Sequence, residues 1–134
     1  MNEFSGENTA QALLSSMPVF RPFAYYDKHL DAIRVQIKDC SVWEERLDRF
    51  VTIYHDMYAQ NPDRVNDVVG FVIKGIGHIL DSLNIKPQKA LNLANLLDEI
   101  VKKFPSETTQ RVLEIYKGFG NDAPPDEIEY AQAA

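Results

Sequence analysis

The stretch that decides the fold is residues 68–80, which read VVGFVIKGIGHIL. Its first seven residues form a short apolar run bounded by turn residues, and this pattern predicts a strand buried within a sheet. Gly70, inside the run, indicates a bulge or the close approach of another backbone. Gly75 and Gly77 then allow a sharp exit into a helix over residues 76–83. We therefore expect β-structure before this stretch and helices after it.

A β-hairpin is predicted upstream. Residues 23–26 and 32–36 are rich in strand formers, and the second run alternates apolar and polar side chains as a half-buried strand does. The intervening residues 27–31 include Asp27 and Asp31, and aspartate suits turns because it hydrogen-bonds its own backbone. We interpret both carboxylates as turn residues rather than as an acid–base pair.

Residues 43–58 are open to two interpretations. Residues 50–54, FVTIY, are five consecutive strand formers and favour a strand. Against this, Ser41 and Glu44 have the spacing of a capping box, and the apolar residues that follow recur at helical spacing. In that alternative, a single long helix over residues 43–58 covers the sheet.

Helices are predicted for the rest of the chain. Residues 89–104 carry a wide apolar face, Pro105 stops that helix, and a last helix runs from Ser106 to Lys117. The predicted fold class is α+β: an antiparallel β-meander of three to four strands followed by about three C-terminal helices packed on one sheet face.

The domain organisation follows from size and charge. At 134 residues the chain is long enough for one core. We predict a flexible N-terminal segment at residues 1–17, one α+β domain at residues 18–120 and a disordered acidic tail at residues 121–134. The two end segments hold six acidic residues and no Lys or Arg, so they account for the whole net charge of −6. The neutral body predicts no nucleic-acid partner, which would need a clustered basic surface.

Cellular location is predicted from what the sequence lacks. No apolar run reaches the length of a membrane span, and the first residues do not read as a signal peptide. Cys40 is the single cysteine, so it has no internal disulfide partner. We expect a cytoplasmic protein that does not bind membranes.

Four segments together form a pattern: Tyr26-Asp27, residues 31–35, residues 49–56 and the strand that starts at Val68. Through these segments, residues 23–75 resemble a family of short bacterial β-meander domains of unknown function. Family members are sometimes encoded beside toxin-like partners, so the resemblance implies an antitoxin or immunity role. The family's third and fourth strands meet at a tight Asp/Gly turn, whereas about ten residues without glycine intervene here.

Residues that could support catalysis or metal binding do not form a recognisable pattern. His29, His55 and His78 lack the spacing of metal ligands, and nothing near Cys40 favours a thiolate. The glycines of residues 70–77 lack the Gly-Lys-Ser/Thr ending of a phosphate loop. We predict no enzyme activity, no cofactor and no metal.

An aromatic-rich patch is the candidate partner site. If they share a face, five side chains would anchor a protein partner: Tyr25, Tyr26, Trp43, Tyr54 and Tyr58. The predicted function is a non-enzymatic protein–protein interaction module with a regulatory, inhibitory or assembly role. The alternatives are an antitoxin- or immunity-like partner of a small toxin, a homodimer, and a small-ligand or metal-dependent enzyme.

Overall fold

The structure, a computed structural model, describes residues 19–59, 67–86 and 89–130. The strands are β1 (Phe23–Asp27), β2 (Ala32–Gln36), β3 (Val42–Arg46), β4 (Val51–Asp56), β5 (Val68–Lys74), β6 (Ala90–Asn92) and β7 (Glu127–Glu129). The helices are α1 (Ile76–Ser82), α2 (Leu93–Lys103) and α3 (Glu107–Gly118), followed by a 3₁₀ turn at Gly120–Asp122. The predicted α+β class, an antiparallel sheet followed by three helices, is confirmed.

The main sheet has five antiparallel strands in the order β1-β2-β5-β4-β3. The predicted hairpin is β1 and β2, and a second hairpin is β3 and β4. Strand β5 lies between the two hairpins, so the order departs from the sequential order of a simple meander and includes one strand more than expected. Its apolar side chains point to both sides of the sheet, and its five central residues, 69–73, are buried.

Gly70 makes the central position of β5 possible. An added Cβ at Gly70 would lie 2.1 Å from the carbonyl oxygen of Val35 on the neighbouring strand, a distance at which no side chain fits. Opposite Gly70, the register of β4 against β5 shifts between Tyr54 and His55. The structure therefore shows both the bulge and the close backbone approach that the sequence predicts at this glycine.

The question left open for residues 43–58 is resolved in favour of strands. Strand β4 contains most of residues 50–54, and β3 precedes it, so the single long helix is wrong. The turn between them is held by Asp48, whose carboxylate accepts hydrogen bonds from the backbone N–H groups of Phe50 at 2.7 Å and Val51 at 2.8 Å. This local bond and strand formation by β-branched residues outweigh the apparent capping box.

All three helices pack on one side of the sheet, which we call the helix side. The ring of Phe71, from β5, lies 6.5 Å from the rings of Tyr116 and Phe119 at the end of α3. Gly75 has the positive φ of 73° that lets β5 turn directly into α1. None of the described helices is long and apolar enough to cross a membrane.

Helix α2 begins later than predicted. Residues 90–92 form strand β6, and the side chain of Asn92 accepts a hydrogen bond from the N–H of Asn95 at 2.9 Å, which caps the helix at Leu93. Ser106 caps the N-terminus of helix α3 and forms a capping box with Thr109.

The expectation that residues 121–134 are disordered is wrong for residues 121–130. Strand β7 pairs with β6, and Ile128 and Tyr130 are buried in the core. The backbone N–H of Tyr130 also donates to the carbonyl of Lys89 at 2.8 Å. Low apolar content predicts disorder for a whole segment, but two large apolar side chains at alternate positions are enough to anchor a short strand. The predicted flexible segment 1–17, like residues 131–134, lies outside the described residues.

Candidate functional site

The five predicted partner-binding side chains do not share a face. The strand register places Tyr25 and Tyr54 on the side of the sheet opposite the helices, whereas Tyr26 and Trp43 point to the helix side. Tyr58 follows the end of β4 and is 76% exposed. The geometric condition for one aromatic patch is therefore not met, because side chains alternate between faces along a strand.

A smaller aromatic cluster does form on the side opposite the helices. It consists of Phe23, Tyr25, Arg34 and Tyr54, and we call it the Arg34 face. The guanidinium carbon of Arg34 lies 5.9 Å from the ring centroid of Phe23 and 5.2 Å from that of Tyr54. The rings of Phe23 and Tyr25 are 5.7 Å apart, and Tyr25 is 42% exposed. The sequence prediction included two members of this cluster and missed Phe23 and Arg34.

Arg34 contacts rings from β1 and β4 and so links the cluster across four neighbouring strands, β1, β2, β5 and β4. It lies on β2, between Tyr25 of β1 and Val72 of β5 in the register. Its NH2 group donates to the side-chain oxygen of Gln36 at 3.0 Å. Its Nε is buried and has no hydrogen-bond partner among the described residues. A guanidinium has five N–H donors, so Arg34 keeps donor capacity that the described part of the chain does not use.

The helix side carries a charged network centred on His55. The imidazole is fully buried; its Nδ1 lies 2.7 Å from Asp67 and its Nε2 lies 2.8 Å from Glu45. Arg111 of α3 donates two hydrogen bonds to the same Glu45 carboxylate, at 3.0 and 3.3 Å. The indole of Trp43 stacks on the imidazole with 4.0 Å between centroids. This network connects the β3–β4 hairpin to α3 and to the start of β5.

The number of N–H donors on His55 restricts where the protons of this network can lie. A neutral imidazole has one N–H, whereas both ring nitrogens of His55 face a carboxylate oxygen. Both contacts become hydrogen bonds only if the imidazole carries two N–H protons or one carboxyl is protonated. The hydrogen bonds from Arg111 and then from His55 hold the pKa of Glu45 below its ordinary value. The sequence does not predict this arrangement, because the two carboxylates that contact His55 come from residues 10 and 12 positions away along the chain.

Two other predicted candidates have structural contacts. Asp27 accepts hydrogen bonds from the backbone of residues 29 and 30 in the hairpin turn, as expected. Asp31 accepts from the Gly77 N–H at 3.0 Å and from the Tyr26 hydroxyl at 2.6 Å, so it joins β1 to the start of α1. Burial, and then the bond to Asp31, raise the pKa of Tyr26.

Among the described residues, His29, His78 and Cys40 do not belong to a cluster of reactive side chains. His29 and His78 are exposed, and within the described ranges no three His, Cys, Asp or Glu side chains are placed to hold a metal ion. Burial and the nearby Asp56 carboxylate raise the pKa of the Cys40 thiol, which disfavours the nucleophilic thiolate. The absence of an enzyme activity stays a prediction.

Comparison with family models, with curated proteins and with solved structures finds no match for this chain. The resemblance of residues 23–75 to the bacterial β-meander family therefore stays a prediction.

Proposed function

We propose that this protein is a non-enzymatic protein–protein interaction module with a regulatory, inhibitory or assembly role, and that it binds its partner through the Arg34 face. The observation that carries the proposal is the placement of Arg34 between two aromatic rings on the sheet side that the described helices leave uncovered. Arginine and tyrosine are enriched among the residues that dominate binding energy at protein interfaces.

The cluster is already ordered in a way that favours binding. The aromatic rings hold the guanidinium plane, so little side-chain entropy is lost when a partner arrives. Tyr25 offers a large ring with two rotatable bonds and a hydroxyl at the exposed edge. A rigid aromatic and arginine cluster of this kind serves as an anchor, whereas a scattering of single exposed side chains does not.

The charges around the cluster favour an acidic partner segment with an aromatic or aliphatic side chain. Arg46 and Lys74 are exposed on the same side of the sheet as Arg34, against the exposed carboxylate of Glu44. The carboxylate of Asp56, also on this side, is engaged by Lys38 at 2.6 Å. The planar donors of Arg34 match a carboxylate, and the aromatic rings match an apolar neighbour.

The test is affinity capture from the cells that produce the protein, using tagged wild type and two matched variants. Arg34→Gln removes the charge from the Arg34 face, and Lys102→Gln removes an exposed charge from α2 on the other side of the sheet. We expect one stoichiometric partner that wild type and Lys102→Gln retain and that Arg34→Gln retains about thirtyfold more weakly, corresponding to a dominant interface residue of about 2 kcal/mol.

Four outcomes would contradict the proposal. The absence of any partner argues against an interaction module, and equal capture by all variants argues against the Arg34 face. Stronger capture by a chain that starts at residue 19 would assign the face to the protein's own N-terminal residues. A concentration-dependent dimer that Arg34→Gln abolishes would assign it to a second copy of the chain.

The antitoxin or immunity role is the second candidate, and it is a more specific form of the first. Its support is the resemblance of residues 23–75. If the captured partner stops cell growth when expressed alone, and coexpression of this protein restores growth, the antitoxin role is favoured over a general adaptor. The proposal also places the protein in a bacterial cytoplasm, where Cys40 stays reduced.

A further inference from the structure

An apolar cavity of about 370 Å³ lies on the helix side, away from the Arg34 face. It is bounded by the start of β4, by α1, by α2 and by the beginning of α3. Six buried aliphatic side chains form its wall: Val51, Ile73, Ile79, Leu97, Ile100 and Val112. Protein interiors are packed with few voids larger than a water molecule, whereas small-molecule sites have volumes of roughly 300–1,000 Å³. The cavity therefore has the size and lining of a site for a small ligand.

The mouth of the cavity is polar, and most of its polar groups are already engaged. The Asp48 carboxylate accepts two backbone N–H groups. The hydroxyls of Ser106 and Thr109 bond to each other and cap α3. Arg49 and His78 are the mouth residues that can carry positive charge, and both are exposed.

Arg49 is placed to receive an anionic head group. Its guanidinium carbon lies 4.9 Å from the ring centroid of Phe50, which holds it at the rim, and no carboxylate of the described ranges forms an ion pair with it. A cationic rim above an apolar wall matches a ligand that is charged at one end and apolar at the other.

We propose that this cavity binds a small amphipathic carboxylate, with the carboxylate at Arg49 and a short- to medium-length hydrocarbon chain against Ile79, Leu97 and Ile100. The volume lies near the lower end of the range for ligand sites, which favours a small ligand. This inference does not depend on the Arg34 face, since the two sites lie on opposite sides of the sheet.

The experiment is a calorimetric titration of the full chain with decanoate, below its micelle concentration. Decanol and decyltrimethylammonium serve as probes with a neutral and a cationic head group. We expect saturable 1:1 binding of decanoate and at least fivefold weaker binding of the other two. Arg49→Gln should weaken decanoate binding about tenfold, as expected for the loss of one partly exposed charge-assisted contact. Lys103→Gln, an exposed cation on α2 that does not line the cavity, is the matched control and should bind like wild type.

The position of the hydrocarbon chain needs its own test. Ile100→Phe fills the cavity and should abolish decanoate binding while the circular dichroism spectrum is retained. If that variant does not fold, nuclear Overhauser contacts between decanoate methylene protons and the methyl groups of Ile79 and Leu97 in the wild type decide the question. The proposal is overturned if decanoate does not saturate, if decanol binds as tightly and Arg49→Gln has no effect, or if these contacts are absent.

Discussion

Replacement of His55 by alanine should strongly destabilise the fold. The imidazole is fully buried between Asp67 and Glu45, and the side chain of Asp67 is itself only 2% exposed. Removing His55 leaves the buried Asp67 carboxyl without its hydrogen-bond partner. This costs about 1–3 kcal/mol for a neutral contact and about 3–5 kcal/mol where the two groups carry opposite charges. Glu45 keeps its bonds from Arg111, so most of the loss comes from Asp67. The lost stacking on Trp43 adds about 0.5–1.5 kcal/mol.

We therefore expect a loss of about 4 kcal/mol in the free energy of unfolding, which for a domain of this size lowers the melting temperature by about 12–20 °C. Urea titration followed by far-UV circular dichroism measures it without relying on the fluorescence of Trp43, whose environment the variant changes. The control is Lys102→Ala, which removes an exposed pair with Glu99 at 3.6 Å and should cost under about 0.5 kcal/mol. A double-mutant cycle with Asp67→Ala isolates the pair. The reasoning is refuted if His55→Ala costs under about 1 kcal/mol or if the coupling energy with Asp67 is close to zero.

Three further predictions concern the sheet, the C-terminal strand and the response to acid. Gly70→Ala should cost more than about 3 kcal/mol because its Cβ would collide with the Val35 carbonyl. At Gly118 an added Cβ meets none of the described residues within 4 Å, so Gly118→Ala should change stability by under about 1 kcal/mol. Chemical denaturation distinguishes the two variants. Ile128→Ala should lower the free energy of unfolding by about 2–5 kcal/mol, because Ile128 is buried. Glu129→Ala, at the exposed neighbouring position, should lower it by under about 0.5 kcal/mol. Equal losses would contradict the packing of β7. Since Arg111 and then His55 lower the pKa of Glu45, its contribution to stability is complete above about pH 4.3 and is lost as the pH falls through the lowered pKa. Glu45→Gln should accordingly flatten the acid side of a melting-temperature profile, and an unchanged profile would contradict the assignment.

Local sequence patterns predicted the parts of the fold that local physics decides. The seven residues of β5, the hairpin of β1 and β2, and the start of α3 at Ser106 all follow from short-range signals: an apolar run, turn residues and a cap. Gly70 was informative because a glycine within a run of strand-forming residues indicates a bulge or a close backbone contact.

The rest depended on contacts between distant residues. The position of β5 between β2 and β4 is set by which strands pair, and the spacing of residues along the chain does not encode that choice. For the same reason the ordering of residues 121–130 was missed, since β7 gains its stability from β6 about 37 positions earlier.

The candidate site shows the same limit. The strand register alone decides whether two aromatic residues share a face. Tyr25 and Tyr26 point to opposite sides of the sheet once β1 is assigned, because side chains alternate along a strand. The contacts of Arg34 with Phe23 and Tyr54, and of Glu45 with His55 and Arg111, depend on the three-dimensional arrangement of strands and helix, which no motif in the sequence predicts.

The measurement that tests the proposed function most directly is tyrosine nitration of the protein, alone and in complex with its captured partner. Tyr25 lies on the Arg34 face and is 42% exposed, whereas Tyr58 is 76% exposed and lies beyond the end of β4. Peptide mass spectrometry reads the two residues separately. Our account predicts that the partner protects Tyr25 and leaves Tyr58 reactive. Protection of Tyr58 with Tyr25 still reactive would place the interface elsewhere and contradict it.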